Sequence, residues 1–275
     1  MYPACEILPI TKEDFCATMQ RLGFRRLFLL GDSLSLQLGL SLWMLLNPDV
    51  DIPLEGESGM KRTIQCPGGY DILLMFVRND ELLENSQQVS LANQVKNCHH
   101  FCYPWKQSYM QDPLRTLAIV NVGAHLHSRE LFNQALSRFI SDFDSLGRTN
   151  DVVFFRTLVP GHKNCGRPGL KPFQSFQDYV SDVEGQKVKD TYNWNVFSSY
   201  NDAVAKALER RRDSEIPGAR MELLDVFDMT VLRPDGHIAD EFKVPETRKT
   251  DCLHYSLPGP VDWWNHLLFS QLQSI

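Results

Sequence analysis

Ser33 closes a Gly31-Asp32-Ser33 tripeptide, and Asp251 and His254 stand three residues apart near the other end of the chain, in Asp251-Cys-Leu-His254. A serine hydroxyl attacks a carbonyl poorly until a histidine takes its proton. That histidine needs an acid to fix its tautomer and stabilise its cation. The three residue types predict nucleophilic acyl transfer, with Ser33 as nucleophile, His254 as base and Asp251 as the orienting acid. Singly, each has a plainer reading: Gly-Asp-Ser makes a turn or helix cap, Asp251 a cap, His254 a surface histidine. Together they favour a triad whose Asp and His come from one loop.

Acyl transfer passes through a tetrahedral oxyanion, which needs donors aimed at it. The Ser33 N–H, at a helix start, is one candidate. Asn121, ending an apolar run in Asn121-Val-Gly123-Ala-His125, is a second, and Arg78, after another such run, a third. Asn121 could equally cap a turn, and Arg78 could pair with Asp80 or Glu81. His125-Leu-His127 and Cys98-His-His-Phe-Cys102 hold metal-ligating types, but no second Cys or His pair stands at a finger-like spacing. No bound metal is expected, and a disulfide or packed thiols is the better reading of Cys98 and Cys102. Four tryptophans (105, 194, 263 and 264) could stack on sugar rings. Buried aromatics are commoner, so Trp263 and Trp264 are expected to pack, and Trp194, among polar neighbours, is the best sugar platform. Arg156, His162, Tyr192 and Trp194 are the candidate substrate-binding residues, in or beside a loop-rich stretch (160–197) that could wall a groove over Ser33.

These residues need a frame. Apolar runs at 26–30, 71–77, 116–122, 151–157 and 222–227 predict strands. Helical spacing predicts helices over 11–22, 128–146, 199–212 and 261–272, with Pro260 near the first turn of the last. Leu34 to Leu42 alternates as a strand would, yet Leu34, Leu38, Leu42 and Leu45 also form a helical stripe stopped by Asn47-Pro48, and a helix over 35–46 is predicted. Residues 84–113 resist assignment. Strands alternating with helices imply a parallel sheet of about five strands covered on both faces.

The 275 residues fit one domain, 1–275, and 43% hydrophobic content supplies a substantial core. A net charge of −6 argues against a nucleic-acid surface. No run reaches membrane length, and 1–26 shows no signal-like apolar segment. Seven cysteines allow three disulfides and one free thiol in a secreted chain, or reduced buried thiols in a cytosolic one.

Gly31-Asp-Ser33 near the start and Asp251-x-x-His254 near the end resemble the layout of SGNH, or GDSL-like, ester enzymes. Over most of its length the chain resembles the plant trichome-birefringence-like proteins of the PC-esterase group. The matching segments include Pro3-Ala-Cys5-Glu-Ile-Leu-Pro9, Phe76-Val-Arg78, Asn121-Val-Gly123, Pro160 with His162 and Cys165, Arg233-Pro-Asp-Gly-His237, and Asp251 to Gly259 with Trp264-Asn265. The resemblance implies a three-layer α/β/α SGNH-hydrolase-like fold, a Ser33–His254–Asp251 triad, and O-acetylation of a glycan or polysaccharide acceptor in the Golgi lumen or outside the cell. It implies no bound cofactor; the acyl donor, acetyl-CoA or another acetyl carrier, is a co-substrate. Cys5, Cys165 and Cys252 stand where family cysteines do, implying at least two disulfides. The chain departs from the family at Ser256, where a Cys is usual, and at Leu36-Gln37-Leu38, which stands, one position out of step, for the Arg-Asn-Gln that usually follows Gly-Asp-Ser; the family's usual amino-terminal membrane anchor is not seen in this sequence, which implies either a trimmed chain or a different location. The alternatives to a transferase are an acyl esterase with the same triad and a non-catalytic carbohydrate-binding protein.

Overall fold

A hydroxyl can be presented at a sheet edge only if the run before it is a buried strand. In the computed structural model, which describes residues 7–50, 58–84, 94–163, 165, 168–184, 192, 194–214, 217–239 and 251–275, it is. The elements run α1 (Lys12–Arg21), β1 (Arg26–Gly31), α2 (Ser33–Leu46), β2 (Gly59–Ile64), β3 (Ile72–Arg78), α3 (Lys106–Met110), β4 (Thr116–Val120), α4 (Arg129–Asp144) and β5 (Val152–Arg156). Then come α5 (Phe176–Glu184), α6 (Phe197–Asp213), β6 (Arg220–Leu224), α7 (Phe227–Val231), β7 (His237–Ala239), β8 (Asp251–Tyr255) and α8 (Pro260–Leu272).

One sheet has six strands in the order β2-β3-β1-β4-β5-β6. Its five strands from β3 to β6 are parallel, and β2 is an antiparallel edge. The five-stranded expectation therefore matches the parallel part. The half-exposed edge strand, with Lys61 and Thr63 facing out, gave no apolar run to find. Every residue of β1 is buried, as a parallel strand covered on both faces requires. Alternate residues go to opposite layers: Leu27 and Leu29 pack with α1, α2 and α8, while Phe28 and Leu30 pack with α3, α4 and α6. The fold is thus a three-layer α/β/α sandwich of SGNH-like kind. After β1 the chain crosses to β3 on one side, and it later returns to β4 on the other. That reversal opens a crevice beyond the carboxyl ends of β1 and β4, where open α/β sheets bind ligands.

The ambiguous leucine-rich segment is a helix. Leu34, Leu38, Leu42 and Leu46 face the core, and the small residues between them are buried too, because α2 lies between the sheet and α8. At Gly39 a Cβ would come within 2.7 Å of Leu29 and Met60, so the alternation of Leu with small residues encodes close packing. The other expected helices match α1, α4, α6 and α8 to within one or two residues at either end. Three expectations are corrected. The run 160–197 holds a helix, α5. The strand expected over 222–227 ends at Leu224, because Asp225 Oδ1 accepts from Phe227 N at 3.1 Å and starts α7. Asp251 and His254 lie on a strand, β8, and not on a loop.

The disulfides are Cys16–Cys66, Cys98–Cys102 and Cys165–Cys252, which agrees with at least two. Cys5 and the opening segment that resembles the family lie outside the described residues, apart from Ile7 to Pro9.

Candidate active site

Ser33 is the first residue of α2, and Asp32 caps the helix, its Oδ1 accepting from Leu34 N at 3.0 Å. The turn from β1 is tight. Gly31 has φ 150°, and a Cβ there would lie 2.7 Å from the Asn121 carbonyl oxygen and 2.6 Å from Ser35 Oγ, so only glycine fits. The amino end of a 14-residue helix, with its partial positive charge, therefore lies at the serine.

The strand β8 brings the other two groups. In a regular strand, residues three apart point to opposite faces. Here His237 pairs with Tyr255 and Ala239 with Asp251, so three residues of β8 (252–254) stand against the single residue of β7 between those pairs, two more than regular pairing allows. The bulge lets Asp251 turn back on its own chain. Its Oδ1 accepts from Leu253 N at 3.1 Å and His254 N at 3.0 Å, and its Oδ2 lies 2.8 Å from His254 Nδ1. His254 Nε2 lies 2.7 Å from Ser33 Oγ. Burial pushes the Asp251 carboxyl up, but the hydrogen bonds and charge of His254 outweigh it and hold the group well below the usual carboxylate range. An ionised Asp251 accepts from Nδ1–H, which leaves Nε2 free to take the serine proton.

The remaining candidates separate. Asn121 follows β4, 1% exposed, and its Nδ2 donates to the Arg156 carbonyl at 2.9 Å. The second Nδ2 hydrogen is not used in that bond. Arg78 pairs with Asp80 (Nε to Oδ1 3.1 Å) and lies over the Phe101 ring at 4.0 Å, the ion-pair reading open from sequence. Asp80, which also faces His125, is pushed up to about 6 by burial, against the pull of Arg78. Arg156 and His162 are not on the surface, being 2% and 0% exposed. Arg156 lies 3.8 Å from Asp32 Oδ1, next to Ser33 in sequence, and over the Trp264 ring. Its burial lowers its pKa to about 10, with Asp32 opposing the shift. Tyr192 meets the His125 ring edge-on at 5.6 Å. Trp194 packs on Gly161, where a Cβ would lie 2.1 Å from the indole and 2.3 Å from the Cys252 carbonyl oxygen. Tyr192 and Trp194 are half-buried, and Trp194 lies close to Cys252 on the strand that carries Asp251. Trp105 and Trp264 are fully buried, and Trp263, expected to pack, is 50% exposed. The Cys98 and Cys102 sulfurs are joined to each other.

Sequence reasoning missed Gln37. Its Nε2 donates to the Tyr255 carbonyl at 2.7 Å and its Oε1 accepts from Tyr255 N at 3.1 Å, tying α2 to β8 one residue from His254. Its position, four residues after Ser33 on a helix, puts it on the same face as Ser33 and was the available signal.

A parallel α/β/α sheet with a Ser–His–Asp hydrogen-bond chain at its switch point is the framework of the SGNH-like class. The PC-esterase family model, described as a GDSL/SGNH-like acyl-esterase family found in Pmr5 and Cas1p, matches residues 99–271, including Asp251 and His254, and the chain belongs to that family. Trichome birefringence-like 42 of Arabidopsis thaliana is 25% identical over 292 aligned residues, which take in 98% of this chain and 76% of that protein. Xyloglucan O-acetyltransferase 4 of Populus trichocarpa is 33% identical over 189 residues, 66% of this chain and 42% of the relative. Xyloglucan O-acetyltransferase 1 of Arabidopsis thaliana is 54% identical over 61 residues, 20% of this chain and 15% of the relative. The matches to these two acetyltransferases thus span less than half of each relative's own length.

Proposed function

We propose that the protein is a serine-dependent O-acyltransferase that moves an acetyl group onto a polysaccharide hydroxyl. The observation that carries this reading is the continuous chain from Ser33 Oγ to His254 Nε2 and from His254 Nδ1 to Asp251 Oδ2, at 2.7 and 2.8 Å. Ser33 Oγ attacks the carbonyl carbon of an acetyl donor while its proton passes to His254 Nε2. The oxyanion takes hydrogen bonds from the Ser33 N–H and the free hydrogen of Asn121 Nδ2. Collapse of the intermediate expels the donor's leaving group, which takes the proton from His254. A sugar hydroxyl then gives its proton to His254 and attacks the acyl-serine; the Ser33 Oγ–acyl bond breaks, His254 returns the proton to Ser33 Oγ, and the sugar leaves as the acetyl ester. The helix amino terminus at Ser33 supports the developing negative charge. Arg78 has both Nε and Nη2 bonded to Asp80, which turns that edge of its guanidinium away from any oxyanion. The half-buried rings of Tyr192 and Trp194 are the sugar-facing candidates.

The acceptor class is supported by the names of the xyloglucan O-acetyltransferase relatives, and secretory residence by three disulfides, which persist in oxidising compartments. Among the described residues no helix is long and apolar enough to cross a membrane.

Water reaching the same acyl-serine makes an esterase, so the test is partitioning. The protein is given an activated acetyl ester, and xyloglucan, xylan or mannan oligosaccharides are titrated in. Acetylated sugar should appear as free acetate release falls. Acetate release indifferent to every acceptor makes the protein an esterase. No labelling of Ser33 by a serine-directed phosphonate makes it a binding protein.

A further inference from the structure

Two histidines outside the triad are buried behind it. His162 follows β5 and is 0% exposed; His237 opens β7 and is 5% exposed. His162 Nδ1 lies 2.6 Å from His237 Nε2. Each outer nitrogen faces a main-chain carbonyl: His162 Nε2 is 2.9 Å from Val231 O, at the end of α7, and His237 Nδ1 is 3.0 Å from His254 O, on β8. Carbonyl oxygens only accept. Both outer nitrogens must therefore carry a hydrogen to make these bonds, and one inner nitrogen must carry another. Three N–H groups are needed, and two neutral imidazoles have two. Any two-proton arrangement sets lone pair against lone pair at one of the three contacts, inside a buried site where an unmade hydrogen bond is costly.

We propose that His162 and His237 share a third proton, and that this proton-bound pair is a positioning device that holds the main chain of His254, and so its ring, against Ser33. The proposal rests on the reading of His254 and Ser33 as base and nucleophile. The pair joins three pieces: the segment after β5, the end of α7 and the bulged strand β8. Its charge has aromatic and acidic neighbours. Tyr255 stacks on the His237 ring with centroids 4.3 Å apart, and Tyr179 of α5 lies 5.9 Å from the His162 ring. Asp235, itself paired with Arg233, favours protonation of His162. Asp251 favours protonation of His237, and a charged His254 opposes it. Burial pulls His162 down to about 4 and His237 to about 3. The three hydrogen bonds hold the extra proton against that pull, and it leaves as pH rises.

The test uses the full chain in two arms. In Ser33→Ala protein, ¹⁵N-resolved NMR of the histidine side chains at mildly acidic pH should find three protonated nitrogens among the four of this pair; two overturns the proposal. In active protein, His237→Phe should lower kcat by about 10²-fold with KM little changed, the loss expected when a catalytic group shifts by about 1 Å. His237→Asn keeps an amide donor for the His254 carbonyl but does not titrate. It should recover most of kcat and lack the alkaline limb that loss of the third proton gives the native enzyme. A native kcat in the Phe variant, or an unchanged alkaline limb in the Asn variant, refutes the positioning role. If the Phe variant does not fold, the proton count and the Asn profile decide. An active chain with two protons rejects the pair alone; an inactive chain with three rejects the triad reading alone.

Discussion

Ser33 and His254 ride on different pieces of the fold. Ser33 begins α2 at the end of the central strand, while His254 lies on β8, which among the described residues pairs only with β7. Gln37 joins the two through both polar atoms of its amide, and its partner Tyr255 is 0% exposed. Gln37→Ala strands a buried N–H and a buried C=O. Each orphaned group costs about 1–3 kcal/mol, so the variant should lose roughly 2–6 kcal/mol, a large share of the 5–15 kcal/mol typical of a domain. In whatever fraction stays folded, β8 loses its register against α2. A shift of about 1 Å between base and nucleophile costs about 10²-fold in rate. Gln37→Glu separates the two bonds: its carboxylate can still accept from Tyr255 N but sets an oxygen against the Tyr255 carbonyl. It should do no better than alanine. Urea melts read the stability, and the rate of phosphonate labelling of Ser33 reads the geometry without any knowledge of the donor. An alanine variant with the native midpoint and labelling rate would refute the reasoning, and β8 would then be held by its other contacts.

Ser33→Ala and His254→Ala should each remove most turnover, and the double variant should lose little more, because the groups act as a unit; multiplying losses in a steady-state assay would separate them. Reducing Cys165–Cys252, which closes 87 residues beside Asp251, should lower stability by about 4.6 kcal/mol on the loop-length relation. An unchanged denaturation midpoint for Cys252→Ser would show that the bridge adds nothing. Asp80 supplies a pH dependence. Its folded pKa of about 6 lies above the ordinary carboxylate value, so between the two the folded state binds more protons and stability falls as pH rises. The difference in stability between native protein and Asp80→Asn should therefore change between pH 4 and pH 6 and level off above. A flat difference across that range would place the Asp80 proton elsewhere.

Much of the frame was legible because it obeys one-dimensional rules. β1 and α4 announce themselves by apolar run and apolar stripe, and Thr11 and Ser128 cap their helices through side-chain oxygens as their types suggest. Gly31-Asp-Ser and Asp-x-x-His could be paired from sequence because the proposed acyl transfer would need those types, whatever the fold, and the structure brings Ser33, His254 and Asp251 within hydrogen-bond distance of one another. The strand β8 was not, since its sequence, Asp-Cys-Leu-His-Tyr, alternates poorly and its bulge exists only against β7. The antiparallel edge β2 was hidden for a related reason: half its surface faces water, so its composition resembles a loop.

The residues around the triad were misread in one direction. Arg156 and His162 look like ligands for a sugar or an anion because they are polar and sit after an apolar run. The fold turns both inward: Arg156 lies under Asp32, and His162 against His237 and Val231. A side chain's reach is decided by which face of the crevice its backbone lines, and that depends on the crossing from β1 to β4, which no local pattern records. Gln37 shows the converse. In sequence it belongs to the segment beside Ser33 where the chain departs from the family. In the structure its amide is consumed by Tyr255. Specificity is therefore better sought in groups that keep an exposed face, such as Tyr192 and Trp194, than in the substituted segment of α2.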